Sequence, residues 1–358
     1  NNIEWFREAK YGMMVHFGLY SMLAGEYRGR RTPYDYGEWI QSAFAIPNRE
    51  MEQLAGAFNL FILIGGGVKL AKECGMTYFV VTSKHHGFAL FDSDCDAYNI
   101  KKATPFGRDL IAELAEACYK HGLKLGLYYS QELDWHHPHG AATTKPPAAQ
   151  AGVDNNWDFP GADNKDYSIC FNEKIKPQVK EIMTKYGDIC LIWFDTPGVM
   201  TKAQSQELYD LVKQYQPDCL VNSRLGNGVY DYVSLGDNEI PAERPAEISK
   251  ERAGDMQSMN DLFGFKYSPY NLYETAATLN DTSSSARVTA SRGRRLPNVA
   301  HGSRTLQLSD VPAVAMPAGG VAVTMVMGIP FSSVRYIPMM RRSRKRSIEG
   351  PYRKLTML

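Results

Sequence analysis

The 358-residue chain has six cysteines, and none of them falls in a CxxC pair. The scatter of Cys74, Cys95, Cys118, Cys170, Cys190 and Cys219 argues against both a zinc knuckle and a disulfide framework. It predicts thiols that are mostly buried. No apolar run approaches the length of a membrane span. There is almost no excess of charge: 40 basic residues stand against 39 acidic ones, a net of +1. That balance gives no electrostatic reason to expect a nucleic acid or a membrane surface as partner. The one basic run, RRSRKR at 341–346, reads as a solvated helix or tail. No basic, apolar, small-residue leader opens the chain, so the expectation is a signal peptide that is removed or never existed. HExxH, GxSxG and P-loop motifs are all missing. No glycine fingerprint follows the first apolar run, which counts against a dinucleotide-binding sheet. Neither a cofactor nor a metal is called for.

What is present is an alternation. GMMVHFGLYS (12–21), TYFVVTSKHH (77–86), KLGLYYS (124–130), DICLIWFD (188–195) and CLVNSR (219–224) are short apolar runs rich in β-branched and aromatic residues. They read as strands, with DYVSLGDNEI (231–240) as a sixth. Helical spacing lies between them. Leu110, Leu114 and Cys118 precede Gly122, and Ile175, Val179 and Ile182 precede Gly187. Leu208, Leu211, Val212 and Tyr215 precede Pro217. Buried strands alternating with amphipathic helices predict a parallel sheet covered by helices. Five or six such units favour a (β/α)8 TIM-like barrel, with irregular or incomplete last units. The expectation is a single catalytic barrel domain over 1–358. From 283 onward, neither helical nor strand logic is clear.

The strand ends carry the chemistry. They finish in His16, in His85 and His86, in Tyr128 and Tyr129, in Trp193 and Asp195, and in Arg224. In a parallel barrel these ends meet on one face, the face that holds active sites. Any one histidine there is more often a core-satisfying residue. Six or more polar and aromatic residues at matching positions predict a pocket. Aromatic faces cover sugar C–H groups, and imidazole or charged groups bond the hydroxyls. Glycoside cleavage usually takes two carboxylates, and Asp195 at a rigid strand end fits one of those roles. DWHHPHG (134–140) invites a metal reading, but its spacing is not that of one helical face and Pro138 interrupts it.

WFREAKYGMMVHFGLYS, YGEWI, SKHHGFALF, ATPFGRDL, GLYYSQELDWHHPHG and LIWFD together resemble the family 29 glycoside hydrolases, the retaining α-L-fucosidases. The resemblance runs from residue 4 to about 240 and returns in YETAATLNDT (273–282). It implies an exo-acting retaining α-L-fucosidase, EC 3.2.1.51-like, that removes terminal α-L-fucose from an oligosaccharide or glycoconjugate by double displacement. Asp195 is then the nucleophile, forming a covalent fucosyl-enzyme. His16, Glu38, Trp39, His85, His86, Tyr128, Trp193 and Arg224 are implied sugar contacts, and Arg224 also steadies Asp195. Glu274 is the implied acid/base, with Glu243 and Glu247 as rivals. No metal and no cofactor are implied, and the setting is periplasmic, secreted or lysosomal. The chain departs from the family pattern where NDTSSSA (280–286) follows YETAATL, and where SKHHGFALF lacks an acidic residue. The C-terminal β-sandwich common in the family is not evident. A catalytically impaired fucose-binding barrel and a metal-dependent barrel hydrolase are the alternative readings.

Overall fold

A computed structural model describes residues 3–33, 37–59, 64–140, 154–161, 164–235, 270, 272–278 and 322–328. Eight strands form its framework. They are β1 (Tyr11–His16), β2 (Tyr78–His86), β3 (Lys124–Asp134), β4 (Ile189–Asp195), β5 (Leu220–Val221), β6 (Val233–Ser234), β7 (Tyr273–Thr278) and β8 (Ala322–Gly328). In sheet order β5, β4, β3, β2 and β1 are neighbours, followed by β8, β7 and β6. A parallel bridge between Asn222 and Tyr232 links the end of β5 to the start of β6, an order consistent with a (β/α)8 barrel. Pairing is parallel along β1–β2–β3–β4–β5 and between β6 and β7. β8 runs antiparallel to both β1 and β7.

Strands that read as continuous apolar runs are buried on both faces, and alternation along them sorts the two faces. Met14, Tyr78, Val80, Tyr128, Leu191 and Trp193 pack into one cluster, which fills the barrel. Phe79, Val81, Leu127, Tyr129, Ile192 and Phe194, one residue out of step, belong to the larger cluster beneath the helices. Gly12 is required by this arrangement, since a Cβ there would lie 2.3 Å from the Tyr78 ring.

The helices follow their sequence signals. α1 (Glu4–Ala9) precedes β1, and α2 (Asn48–Ala57) and α3 (Ile64–Glu73) lie between β1 and β2. α4 (Leu110–His121) starts on Asp109, whose carboxylate accepts from the Ala112 N–H, and stops at Gly122 with φ 64°. α5 (Lys176–Thr184) is entered through a π-helical turn at Phe171–Ile175. α6 (Lys202–Tyr215) carries a capping box between Thr201 and Gln204. Leu114 and Cys118, Val179 and Ile182, and Leu208 and Val212 face inward as their spacing predicts.

Several expectations shift. The first strand ends at His16, and Tyr20–Leu23 turn as a short helix. The third strand does not end at Ser130 but continues through the polar QELD to Asp134. CLVNSR is a strand only over Leu220–Val221, after which Ser223–Leu225 turn as a 3-10 helix. AVTMVMG, in the part of the chain without clear strand logic, is a stave of the barrel. Val323, Thr324 and Val326 supply its β-branched character, and its antiparallel pairing is set by its two neighbours rather than by its own pattern. All six cysteines are free: Cys118, Cys170, Cys190 and Cys219 are buried, Cys74 is intermediate and Cys95 is exposed. Glu243, Glu247, the 280–286 stretch and the basic run at 341–346 lie outside the described residues.

Candidate active site

Asp195 ends β4 with its side chain 14% exposed. Its two oxygens have separate partners. The Tyr128 hydroxyl donates to Oδ2 at 2.8 Å, and Arg224 Nη1 donates to Oδ1 at 3.2 Å. The register places Tyr128 opposite Trp193 and Ser130 opposite Asp195, so β3 and β4 deliver these groups side by side. Arg224 is held from three directions. Its guanidinium carbon lies 4.4 Å from the Trp193 ring, its Nη2 donates to the Leu235 carbonyl at 2.8 Å, and Nη1 reaches Asp195. A planar fork can make these contacts at once, whereas an ammonium cannot.

The Tyr128 hydroxyl also lies 3.2 Å from His85 Nε2. Its single proton goes to Asp195, so it accepts from His85, and the imidazole carries its proton on Nε2. Burial, then the neighbouring His86, His16 and Lys84, drive the His85 pKa well below the usual histidine range. His85 is therefore neutral at physiological pH, and the chain His85–Tyr128–Asp195 ends on a carboxylate rather than a second cation. The His16 ring packs edge-on to Tyr128 and His85, with centroids 4.7 Å and 5.8 Å away.

A second group adjoins the first. His86 stacks on Trp135 at 3.9 Å, and Trp39 meets both rings edge-on. Glu38 lines one cavity together with Tyr20, His85, His86 and Trp135. His86 adopts φ 54° and Thr196, immediately after Asp195, adopts φ 59°. Non-glycine residues are strained there, and such strain gathers at functional sites.

Glu274 lies deeper, on β7. It is fully buried, and it accepts from Trp193 Nε1 at 2.5 Å and from Ser234 Oγ at 3.2 Å. Burial pushes its carboxyl up to about 7, against the pull of those hydrogen bonds and of Arg224.

The structure thus gathers His16, His85, Tyr128, Trp193, Asp195 and Arg224 into one constellation, sets Glu38, Trp39 and His86 beside it, and places Glu274 against Trp193. Tyr129 points the other way and donates to Gln178 on α5 at 2.8 Å. Asp134 in DWHHPHG is fully buried between Lys84 at 3.3 Å and Lys174 at 2.8 Å. Burial pushes its carboxyl up, but the two lysines more than reverse that and hold it far below the usual range. A carboxylate committed to two lysines is a poor metal ligand. His136 pairs with Glu52 at 2.8 Å.

Sequence reasoning missed Gln131 and Glu132. Gln131 Oε1 accepts from the Asp195 N–H at 2.8 Å, and its Nε2 donates to the Arg224 carbonyl at 3.0 Å. Glu132 accepts from the backbone N–H groups of Gly198, Val199 and Met200. The available signal was a run of polar residues, QELD, directly after a buried strand.

The alpha-L-fucosidase family profile matches residues 1–282. The tissue alpha-L-fucosidase of Bos taurus is 32% identical over 144 residues, covering 37% of this chain and 30% of that enzyme. Unliganded alpha-L-fucosidase AlfC from Lactobacillus casei superposes with a TM-score of 0.68 at 55% identity, covering 76% of this chain and 78% of that one. An AlfC variant solved with Fucα(1,6)GlcNAc gives a TM-score of 0.65 at 59% identity, covering 68% and 75%. The chain spans under a third of the length of the mammalian relatives it matches. The strand framework and the match over 1–282 together place this chain in the alpha-L-fucosidase family.

Proposed function

We propose that this chain is an exo-acting retaining α-L-fucosidase whose nucleophile is Asp195. The observation that carries the reading is the position of Asp195 at the open end of the barrel, held between a neutral Tyr128–His85 pair and the Arg224 guanidinium. A carboxylate fixed at both oxygens loses little freedom on attacking an anomeric carbon. One oxygen forms the bond to C1 while the glycosidic C–O bond breaks, and an acid delivers a proton to the leaving oxygen. Water then attacks C1 as the same group takes its proton, releasing fucose and the free carboxylate, with net retention. The substrate class follows from the likeness to AlfC, whose variants are solved with Fucα(1,6)GlcNAc and with 4-nitrophenyl α-L-fucopyranoside. A terminal α-L-fucose on an oligosaccharide or glycoconjugate is the proposed target. His16, His85, His86, Glu38, Trp39 and Trp193 form the proposed fucose-binding wall.

Glu274 is the proposed acid/base, supported by burial that keeps its carboxyl protonated up to about 7. Its enclosure favours a second reading. A carboxyl bonded to Trp193 and Ser234 inside the barrel holds the indole in place, and Glu243 or Glu247 then delivers the proton.

The test is hydrolysis of 4-nitrophenyl α-L-fucoside by wild type, Asp195→Ala and Glu274→Ala, with azide rescue. Expected is turnover by wild type, loss in Asp195→Ala, and rescue of that variant as β-fucosyl azide. Glu274→Ala yields α-fucosyl azide if it is the acid/base; without that product the role passes to Glu243 or Glu247. Fucose binding without turnover by wild type supports the impaired barrel. Loss on chelation with recovery on zinc supports the metal-dependent hydrolase.

A further inference from the structure

The end of β3 holds a carboxylate that the reaction above leaves unused. Glu132 is 6% exposed. Its Oε2 accepts from three successive backbone N–H groups, those of Gly198 at 2.5 Å, Val199 at 2.6 Å and Met200 at 3.2 Å. These residues belong to the segment that leaves β4 directly after Asp195. The approach is close: a Cβ on Gly198 would lie 2.7 Å from Glu132 Oε1, so a larger residue there would push the carboxylate off its donors. Between Asp195 and this anchor sits Thr196 at φ 59°, its hydroxyl 2.8 Å from that of Ser130. A strained residue persists only where the surrounding structure over-determines it. Here β3 supplies the hold on both sides, through Ser130 before the anchor and Glu132 at it. Burial pushes the Glu132 carboxyl up to about 7 against the pull of the three N–H donors.

We propose that Glu132 is a positioning residue for Asp195: by fixing the backbone of 198–200 it sets the path by which the chain leaves β4, and hence the aim of the reacting carboxylate. This rests on the reading of Asp195 as nucleophile. Glu132 acts on the strand exit and has no contact with the sugar in this role. Its loss therefore changes the rate of the chemical step more than it changes ground-state binding.

The experiment compares wild type, Glu132→Gln and Glu132→Ala on 4-nitrophenyl α-L-fucoside, with amide hydrogen exchange followed across 196–201. In Glu132→Ala, kcat is expected to fall about ten- to a hundredfold while KM stays within about threefold. The amides of 198–200 should exchange at least about tenfold faster. Glu132→Gln keeps an accepting oxygen but not the charge, and should lose about two- to fivefold in kcat with a smaller rise in exchange. Wild-type kcat and exchange in Glu132→Ala overturn the inference. So does a parallel loss of kcat, fucose binding and thermal stability, which is the mark of a merely structural role. Should Glu132→Ala not fold, wild-type values of both kcat and exchange in Glu132→Gln overturn it as well. An active wild type with an indifferent Glu132 removes only this inference, whereas a wild type inactive on the fucoside removes the nucleophile reading and this inference with it.

Discussion

Glu274→Gln offers a quantitative check on the barrel interior. The carboxyl is fully buried, and burial raises its pKa from 4.5 to about 7. Between those values the folded protein binds more protons at this site than the unfolded chain does. Relative to the protonated form, the stability is complete below about pH 4.5 and is lost as pH rises through about 7. A rise from 4.5 to about 7 corresponds to about 3 kcal/mol of differential stability. Glutamine reproduces the protonated acid in shape and still accepts from Trp193 and Ser234, but it does not titrate. Wild type should therefore lose about 3 kcal/mol against the variant between pH 4.5 and 8. At about 2–4 °C per kcal/mol for a folded unit of about 150–250 residues, the melting temperatures should separate by at least about 6 °C across that range. The assay is a thermal melt of both proteins at half-unit pH steps. Glu132 titrates in both proteins and cancels. A difference that stays flat with pH would refute the picture of a buried carboxyl with a raised pKa, and with it the support for Glu274 as a proton donor near neutrality.

Other outcomes follow from the same geometry. Tyr128→Phe removes a charge-assisted bond to Asp195 and the acceptor for His85, and should lower kcat/KM about ten- to a hundredfold on the aryl fucoside. Arg224→Lys keeps the charge but cannot span Asp195, the Leu235 carbonyl and the Trp193 face; a loss of about a hundredfold or more is expected, and near-wild-type rates would show that only the charge matters. Asp134→Asn leaves Lys84 buried without its counter-ion, while Lys174 keeps Asp96 at 2.5 Å, and should cost about 3–5 kcal/mol in denaturant unfolding.

How much was legible beforehand differs from element to element. The alternation of apolar strands and amphipathic helices was readable because burial on two faces and a 3.6-residue stripe both leave local patterns. Gly122 stopped α4 where the sequence suggested, because the left-handed φ it adopts is cheap for glycine. The residues closing the apolar runs were readable as well, since a polar residue there is itself a signal: His16, His85, Tyr128, Asp195 and Arg224 were named from position, although the strand of Tyr128 continues to Asp134 and Arg224 lies in the turn after its strand. β8 was not readable. This strand pairs antiparallel with β1 from the start of the chain and with β7 from its later part, and neither pairing is written in a local pattern.

The sequence alone determined the alternation of apolar strands with amphipathic helices and the polar residues that close the apolar runs, because local periodicity and residue chemistry suffice for these. Tertiary structure alone decided which of those residues touch. It brought the Tyr128 hydroxyl onto one oxygen of Asp195 and Arg224 onto the other, and turned Tyr129 away beneath a helix. It buried Glu274 behind Trp193, and laid Gln131 and Glu132 along the exit of the neighbouring strand. Distances between groups 29, 67 or 81 residues apart are set by register and closure, which no local pattern encodes.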